Sequence, residues 1–203
     1  PSEGSTGPDG RAPAELKRLP LWLWNLIAKF WEGIYIKGGE WPQSLLKAHV
    51  AFIPKAGGLP ATPVNLRPIT ILSASYRVFS SCMFRQLLAW HDQWCPSTLC
   101  GGRPGADALQ TAMELGLTLE EALAIHKRGL LLISLDLSKF FGSIEWGLLG
   151  GLAREFGMPA NLRSGFTRFL FALQRKMRVG DTYSSDWVKC LCGTPQGDAL
   201  SIL

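Results

Sequence analysis

The 203-residue chain has 47% hydrophobic and 18% charged residues, which supply enough apolar surface for one domain with a substantial core. It carries 21 Lys and Arg against 16 Asp and Glu, and the net charge of +5 permits a nucleic-acid partner without establishing one. No segment is apolar over the length of a bilayer and no targeting signal is evident, so we expect an intracellular protein of the cytoplasm or nucleus with no membrane partner. The five cysteines lack metal-ligand spacing and support neither a disulfide framework nor a zinc site.

The first third of the chain predicts a linker, a helix and two extended segments. Residues 1–13 combine Gly, Pro, Ser and Asp without apolar periodicity, which is typical of a flexible linker. From Glu15 to about Ile36, apolar and aromatic residues recur at helical spacing and indicate one helix with a buried face. His49–Ile53 predicts a short strand, and Arg67–Leu72 predicts a second strand or extended segment after a loop at 55–63.

The rest of the chain mixes helices with strands. The apolar run Leu130–Leu135, bounded by Gly129 and too short for a buried helix, predicts a core strand. Lys176–Val179 and Trp187–Leu191 flank a turn and indicate a hairpin. Four further segments have the apolar spacing of helices, namely Ser75–His91, Asp107–His126, Trp146–Phe156 and Leu162–Leu173. This order indicates an α+β fold rather than regular βαβ units.

Asp136 is the first candidate for chemistry, because it follows directly on the predicted core strand. A carboxylate at the open end of a sheet often holds a metal or contacts substrate. Asp also commonly caps the turn or helix that follows, and this segment alone favours neither interpretation.

Four segments must be explained together: Ile53–Lys55 with Asn65–Ile69, Gly102–Gly105, the Asp136 segment, and Gly193–Gly197. In this order they resemble the motifs of reverse transcriptases, especially those of group II introns and non-LTR retrotransposons, from about Trp22 to the carboxy terminus. The resemblance implies RNA-directed DNA synthesis by a right-hand polymerase fold, with fingers over residues 14–129 and part of the palm over 130–203. Its implied partners are an RNA template, a DNA primer and deoxynucleoside triphosphates.

The resemblance also implies a metal and a triphosphate site. Hard Mg²⁺ prefers oxygen ligands, so Asp136 and the carbonyl of Leu137 would serve a two-metal site. Lys55 and Arg67 match the fingers motif that neutralises the incoming phosphates. By position alone, both are better explained as ordinary surface charges, and the resemblance reverses this for Arg67 and, less firmly, for Lys55.

Three further positions acquire roles from the resemblance. Phe141 would stand against the sugar C2′ and exclude a 2′-hydroxyl, while Phe140 would pack in the core. Gln196 and Gly197 would contact the nucleotide or template through an amide side chain and a closely approaching backbone. Arg103, in a glycine-rich loop, would contact the template phosphates, although that loop also suits the start of a helix.

The chain departs from the family pattern at several positions. Gly142 stands where a second Asp is usual, and Ala199 and Ile202 replace two prolines. The sequence ends before the Asp-Asp hairpin that supplies the remaining catalytic carboxylates, so we expect a truncated fragment that is inactive by itself. A degenerate or repurposed polymerase-like module that binds nucleic acid is the main alternative, and a basic helical interaction domain is a third.

Overall fold

The computed structural model describes residues 6–55, 62, 65–101, 105 and 107–201, and these form a mixed structure of helices around one five-stranded sheet. The mixture agrees with the predicted α+β class. The strands are β1 (Lys47–Pro54), β2 (Leu66–Leu72), β3 (Gln174–Val179), β4 (Thr182–Tyr183) and β5 (Val188–Lys189). The helices are α1 (Pro13–Leu16), α2 (Leu21–Tyr35), α3 (Ala74–Trp94), α4 (Ala108–Glu120), α5 (Phe140–Ser143), α6 (Trp146–Glu155) and α7 (Ala160–Ala172).

The sheet is built on a hairpin and one parallel crossover. β1 pairs antiparallel with β2, with Val50 opposite Thr70, and pairs parallel with β3 on its other side, with His49 beside Lys176. The far edge of β3 is occupied by β5 at one end and by β4 at the other. Both predicted strands of the first third are confirmed. The predicted hairpin is confirmed in part: β5 is the short piece of 187–191 that pairs with β3, and the predicted turn itself contains a further strand, β4, which also pairs with β3.

The single helix predicted from Glu15 to Ile36 is wrong in one respect, since the structure has two helices there. Pro20 lies before the first turn of α2 with ψ near 155°, and proline inside a helix would remove a hydrogen bond and clash with the preceding turn. The carboxyl end of α2 is stabilised by Arg168 of α7, which donates to the carbonyls of Ile34, Gly38 and Gly39. These bonds satisfy carbonyls that have no partner within the helix.

The core lies between α2, α3, α7 and one face of the sheet, and aromatic rings dominate it. Tyr76 and Phe169 stack at 4.1 Å between ring centroids, and Trp31 stacks on Phe79 at 4.3 Å. Trp41 contacts rings on either side and donates from Nε1 to the carbonyl of Gly165 at 3.2 Å. Stacked and tilted rings of this kind add to the free energy gained from burial.

The predicted core strand at Leu130–Leu135 is wrong. Residues 127–137 form neither helix nor strand, and Leu131 and Leu135 are 85% and 90% exposed. A strand needs an edge to pair with, and the run pairs with none of the described strands: Gln196 accepts from Thr70 on the outer edge of β2, while β4 and β5 pair with β3. The apolar side chains of the run are therefore exposed to solvent, with no described element packed over them.

The helix predicted over Asp107–His126 is confirmed as α4, which continues through one wider π-helical turn at Glu121–Ile125. Asp107 caps it by accepting from the Gln110 N–H at 2.8 Å. No residue of α4 is buried, so its leucines face solvent like the run that follows it.

The amino-terminal segment contacts the start of α3, and the cysteines form no disulfide bonds. In the expected linker, Asp9 accepts from the Ala74 N–H at 2.8 Å and so holds residues 6–12 against the start of α3. The five cysteines are free thiols. None of the helices in the described part of the chain is long and apolar enough to cross a membrane.

Candidate functional site

The β1–β2 hairpin positions the two predicted phosphate-binding cations. Arg67 lies opposite Ile53 in the ladder, and the Lys55 N–H donates to the Asn65 carbonyl at 2.8 Å where the strands diverge. Both side chains are exposed, and neither has an ion-pair partner among the residues that the structure describes. Two unpaired cations at one end of a hairpin are able to receive an anionic group.

The turn that contains Gln196 and Gly197 lies along the outer edge of β2. The carbonyl of Gln196 accepts from the Thr70 N–H at 2.8 Å, three residues beyond Arg67. Gly197 has φ +107°, which disfavours any residue with a Cβ, and a Cβ there would lie 3.5 Å from the Ile69 side chain. The turn therefore requires glycine for its conformation, whereas a Cβ would make only ordinary contact with the strand.

The segment after Asp136 is joined to the same turn through backbone hydrogen bonds. The Thr194 N–H donates to the Phe141 carbonyl at 2.7 Å, and the Gly193 N–H donates to the Ile144 carbonyl at 2.7 Å. Trp146 adds a bond from Nε1 to the Gly193 carbonyl at 2.8 Å. The structure thus links the Phe141 segment, the 193–197 turn and the Arg67 strand into one hydrogen-bonded unit.

Phe140 and Phe141 are placed differently from what the sequence suggests. Phe140, expected to pack in the core, is 46% exposed, whereas Phe141 is half-buried. The rings contact each other edge to face with centroids 5.8 Å apart. The packing expectation for Phe140 is therefore wrong, because α5 is a single short turn that turns this ring toward a cavity rather than the core.

Asp136 and Leu137 are not brought into this unit by any contact of the described residues. Both are exposed in the extended run, and Asp136 has no hydrogen-bond or ion-pair partner within the described ranges. No group of three or more His, Cys, Asp or Glu is close enough to hold a metal in that part of the chain. One carboxylate and one carbonyl are suitable oxygen ligands for Mg²⁺, but they do not make a two-metal site. Arg103, the predicted template contact, lies outside the described residues.

A buried polar cluster lies next to the turn. Its central residue, Asp198, has no predicted role in the sequence motifs. Asp198 follows Gly197 and is almost fully buried beneath the side chains of Tyr76 and Ser80. Neither of its carboxylate oxygens has a hydrogen bond of good geometry within the described residues, and the hydroxyls of Tyr35 and Tyr76 also lack one. In the sequence, this cluster is indicated only by an acidic residue directly after Gly197.

Burial sets the ionisation of this cluster. Desolvation raises the pKa of Asp198 to about 6, although Ser80, Tyr76 and the N–H groups of Ala199 and Leu200 partly oppose the shift. Burial and the nearby Asp198 carboxylate also raise the pKa of Tyr35 and of Tyr76, so both phenols stay protonated. The charge on Asp198 is therefore the titrating feature beneath the turn.

A cavity of about 560 Å³ opens beside this cluster, between α3, α6 and α7. Its wall is mostly apolar, and Tyr35, Thr194 and Ser201 are among the residues that line it. The hydroxyls of Thr194 and Ser201 are buried without a hydrogen-bond partner among the described residues. The 193–197 turn thus lies between the cavity on one side and β2 on the other.

Comparison with protein families explains the arrangement. A family model described as reverse transcriptase (RNA-dependent DNA polymerase) matches residues 53–203, which is more than half of the chain. The chain therefore belongs to the reverse transcriptase family. A comparison with curated proteins found no match.

Membership of the family confirms the coarse part of the prediction. A reverse transcriptase domain implies a polymerase fold, nucleotidyl transfer, binding of RNA, DNA and deoxynucleotides, and use of divalent metals. The roles of Lys55, Arg67, Arg103, Asp136, Leu137, Phe141, Gln196 and Gly197 stay predictions.

Proposed function

We propose that the chain is the fingers and first half of the palm of a reverse transcriptase from a retroelement of the non-LTR or group II intron type. The observation that carries the proposal is the hydrogen-bonded unit joining three of the four motifs, from Phe141 through Thr194 and Gln196 to Thr70. Phe141 and Thr194 are 53 positions apart in sequence, and Thr70 and Gln196 are 126 apart, so these bonds join motifs that are distant in the chain. The fingers span residues 14–129 and the partial palm spans 130–203.

Each predicted residue has a defined task in the proposed reaction. Lys55 and Arg67 bind the triphosphate from one end of the hairpin, and Gln196 and Gly197 bind the nucleotide or its template base. Phe141 excludes the 2′-hydroxyl and so selects deoxynucleotides, and Arg103 binds template phosphate. Asp136 and the Leu137 carbonyl are the ligands that this chain contributes to a Mg²⁺ site. We propose an intracellular location, where an RNA template and a DNA primer are found.

The same proposal makes the 203-residue chain inactive on its own. A two-metal site needs several carboxylates to balance the ions against a triphosphate, and only Asp136 is available in the predicted position. The test is primer extension on an RNA template with Mg²⁺ and deoxynucleotides. We expect extension from the protein encoded by the full reading frame and none from the 203-residue chain. Extension by the chain alone would overturn the fragment proposal.

The sugar-gate assignment has its own test in the active full-length form. Phe141→Ala should admit ribonucleotides, whereas Phe140→Ala, which alters the neighbouring exposed ring, should leave deoxy over ribo discrimination unchanged. Equal discrimination in both variants would refute the gate.

The alternative is a degenerate module that binds nucleic acid without catalysis. The observation that favours it is the exposed run at 130–137, which leaves Asp136 away from the hydrogen-bonded unit. Stop codons or frameshifts directly after Leu203 in the genome would support this alternative, and an open frame leading into an Asp-Asp hairpin would exclude it.

A further inference from the structure

The amino-terminal segment, expected to be a flexible linker, forms a tight turn against the junction between β2 and α3. The turn is closed by a bond from the Gly10 N–H to the Gly7 carbonyl at 3.0 Å, and Gly10 has φ +65°. Gly7 is buried, and a Cβ there would collide with the Leu72 carbonyl oxygen and lie 2.9 Å from the Ser73 Cα. The turn therefore packs directly on the backbone where the strand ends and the helix begins. We call residues 7–10 the amino-terminal clasp.

Asp9 bonds the amino-terminal clasp to the first turn of α3. Its Oδ2 accepts from the Ala74 N–H at 2.8 Å. Ser73, the residue before the helix, accepts from the Tyr76 N–H at 3.2 Å, so Asp9 is the partner of a different donor at the start of the helix. Because Ala74 is fully buried, the loss of Asp9 would leave its N–H unsatisfied and away from water.

The charge of Asp9 also interacts favourably with α3. Burial lowers the pKa of the Arg77 guanidinium, and the nearby Asp9 carboxylate partly opposes this shift. A carboxylate at the amino-terminal end of a helix is further stabilised by the helix dipole. The segment after the clasp, α1, contacts α3 as well. Residues 7–16 are thus attached to the start of α3 by a hydrogen bond, charge interactions and packing.

The 193–197 turn is attached to the two elements that meet at this junction. On β2, the Thr70 N–H donates to the Gln196 carbonyl at 2.8 Å. On α3, the side chain of Tyr76 covers the carboxylate of Asp198, the residue that directly follows the turn. The way in which β2 ends and α3 begins therefore determines where the turn lies.

We propose that Asp9 is a positioning residue for the 193–197 turn and, through that turn, for the nucleotide contacts of Gln196 and Gly197. Its bond to the Ala74 N–H fixes the start of α3 against the end of β2, and both elements bind the turn. Without Asp9, local opening of the junction becomes more favourable, since opening lets water reach the buried N–H. The effect on nucleotide binding rests on the proposed function, whereas the coupling between the clasp and the turn does not.

Amide hydrogen exchange of the 203-residue chain, followed by NMR, tests the coupling. The Thr70 N–H exchanges when its bond to the Gln196 carbonyl opens, so its rate measures how well the turn is held. Asp9→Ala should raise this rate about five- to thirtyfold, the usual effect of losing a helix cap at a buried position. Asp9→Asn keeps an oxygen that caps a helix equally well, and its rate should stay within about twofold of wild type. The Ser184 N–H, bonded to the Met177 carbonyl in another part of the sheet, should exchange at an unchanged rate.

The matched control is Asp107→Ala, which removes an equivalent cap away from the junction. Asp107 accepts from the Gln110 N–H at 2.8 Å at the start of α4, a helix with no buried residue. This variant should leave the exchange of the Thr70 N–H unchanged.

The proposal is overturned if Asp9→Ala leaves the exchange of the Thr70 N–H unchanged, or if Asp107→Ala raises it equally. It is also overturned if the Ser184 N–H exchanges faster by the same factor in Asp9→Ala, since the loss of stability would then be general. An Asp9→Asn variant that behaves like Asp9→Ala would contradict it too, because the charge of Asp9 rather than its hydrogen bond would be responsible.

The consequence for the reaction is tested in the protein encoded by the full reading frame. Asp9→Ala should raise the KM for deoxynucleotides by about fivefold or more and lower kcat less, because the displaced turn weakens nucleotide binding. Asp9→Asn should restore the wild-type KM. If the Thr70 N–H exchanges faster and the KM is unchanged, the coupling stands. The nucleotide contacts proposed for Gln196 and Gly197 are then wrong, and the role of Asp9 in the reaction with them.

Discussion

The aromatic core and the apolar run at 130–137 have similar hydrophobicity in the sequence and opposite positions in the structure. Residues of α7 such as Phe169 and Leu170 are buried against Tyr76 and its neighbours. Leu131, Ile133 and Leu135 face solvent over most of their surface. Both regions satisfy the pattern for burial, but only the first has elements packed on every side. An apolar sequence pattern therefore indicates that burial would be favourable. Whether the segment is buried depends on the helices and strands that pack against it.

The largest expected difference between the regions is in the cost of truncating a leucine. Leu170→Ala removes a side chain that is 2% exposed and should lower the free energy of unfolding by about 3 kcal/mol, because it leaves a cavity in the packed core. Leu135→Ala removes the same atoms from a side chain that is exposed, and should change the free energy by less than about 0.5 kcal/mol. Urea unfolding of the two variants measures both values. A cost of several kcal/mol for Leu135→Ala would show that the run is covered in solution.

Much of the fold could be predicted because local patterns and burial agree there. The strands at β1 and β2 and the helices α3, α6 and α7 follow from periodicity that ends at proline, glycine or a capping residue. The core strand could not be predicted correctly, since a strand exists only where it pairs with a neighbour, and the run at 130–135 pairs with none of the described strands. The parallel pairing of β1 with β3 also joins strands that are distant in sequence, and no local sequence pattern predicts it.

The second prediction concerns Asp198, a carboxylate buried at the edge of the core. Because the pKa of Asp198 rises from 3.8 to about 6 on folding, the folded state binds more protons than the unfolded state between these values. The free energy of unfolding should therefore fall as pH rises through about 4 to 6, by about 3 kcal/mol in total. Denaturant unfolding at several pH values measures this change.

Two asparagine variants provide the controls for the Asp198 titration. Asp198→Asn removes the ionisable group and should abolish the fall in stability between about pH 4 and pH 6. Asp181→Asn removes an exposed carboxylate and should retain it. A wild-type stability that is flat over this interval would mean that Asp198 is hydrated or well hydrogen-bonded in solution.

The third prediction uses two helical glycines that differ only in what surrounds them. A Cβ at Gly165 of α7 would lie 2.7 Å from the Tyr35 ring, inside the core, whereas a Cβ at Gly151 of α6 would meet nothing within 4 Å. Gly165→Ala should lower the free energy of unfolding by about 1–3 kcal/mol through overpacking. Gly151→Ala should raise it by up to about 1 kcal/mol, since alanine favours the helix. Thermal unfolding of the pair distinguishes packing from helix propensity, and stabilisation by both changes would contradict the close packing of Tyr35.

The candidate site shows the same division between local and long-range information. The motif order predicts roles for Arg67, Phe141, Gln196 and Gly197 that stay predictions, and the segments that contain them are hydrogen-bonded together. The buried carboxylate of Asp198 could not be found in this way. Its environment depends on which distant side chains cover it, and that does not follow from a short stretch of sequence.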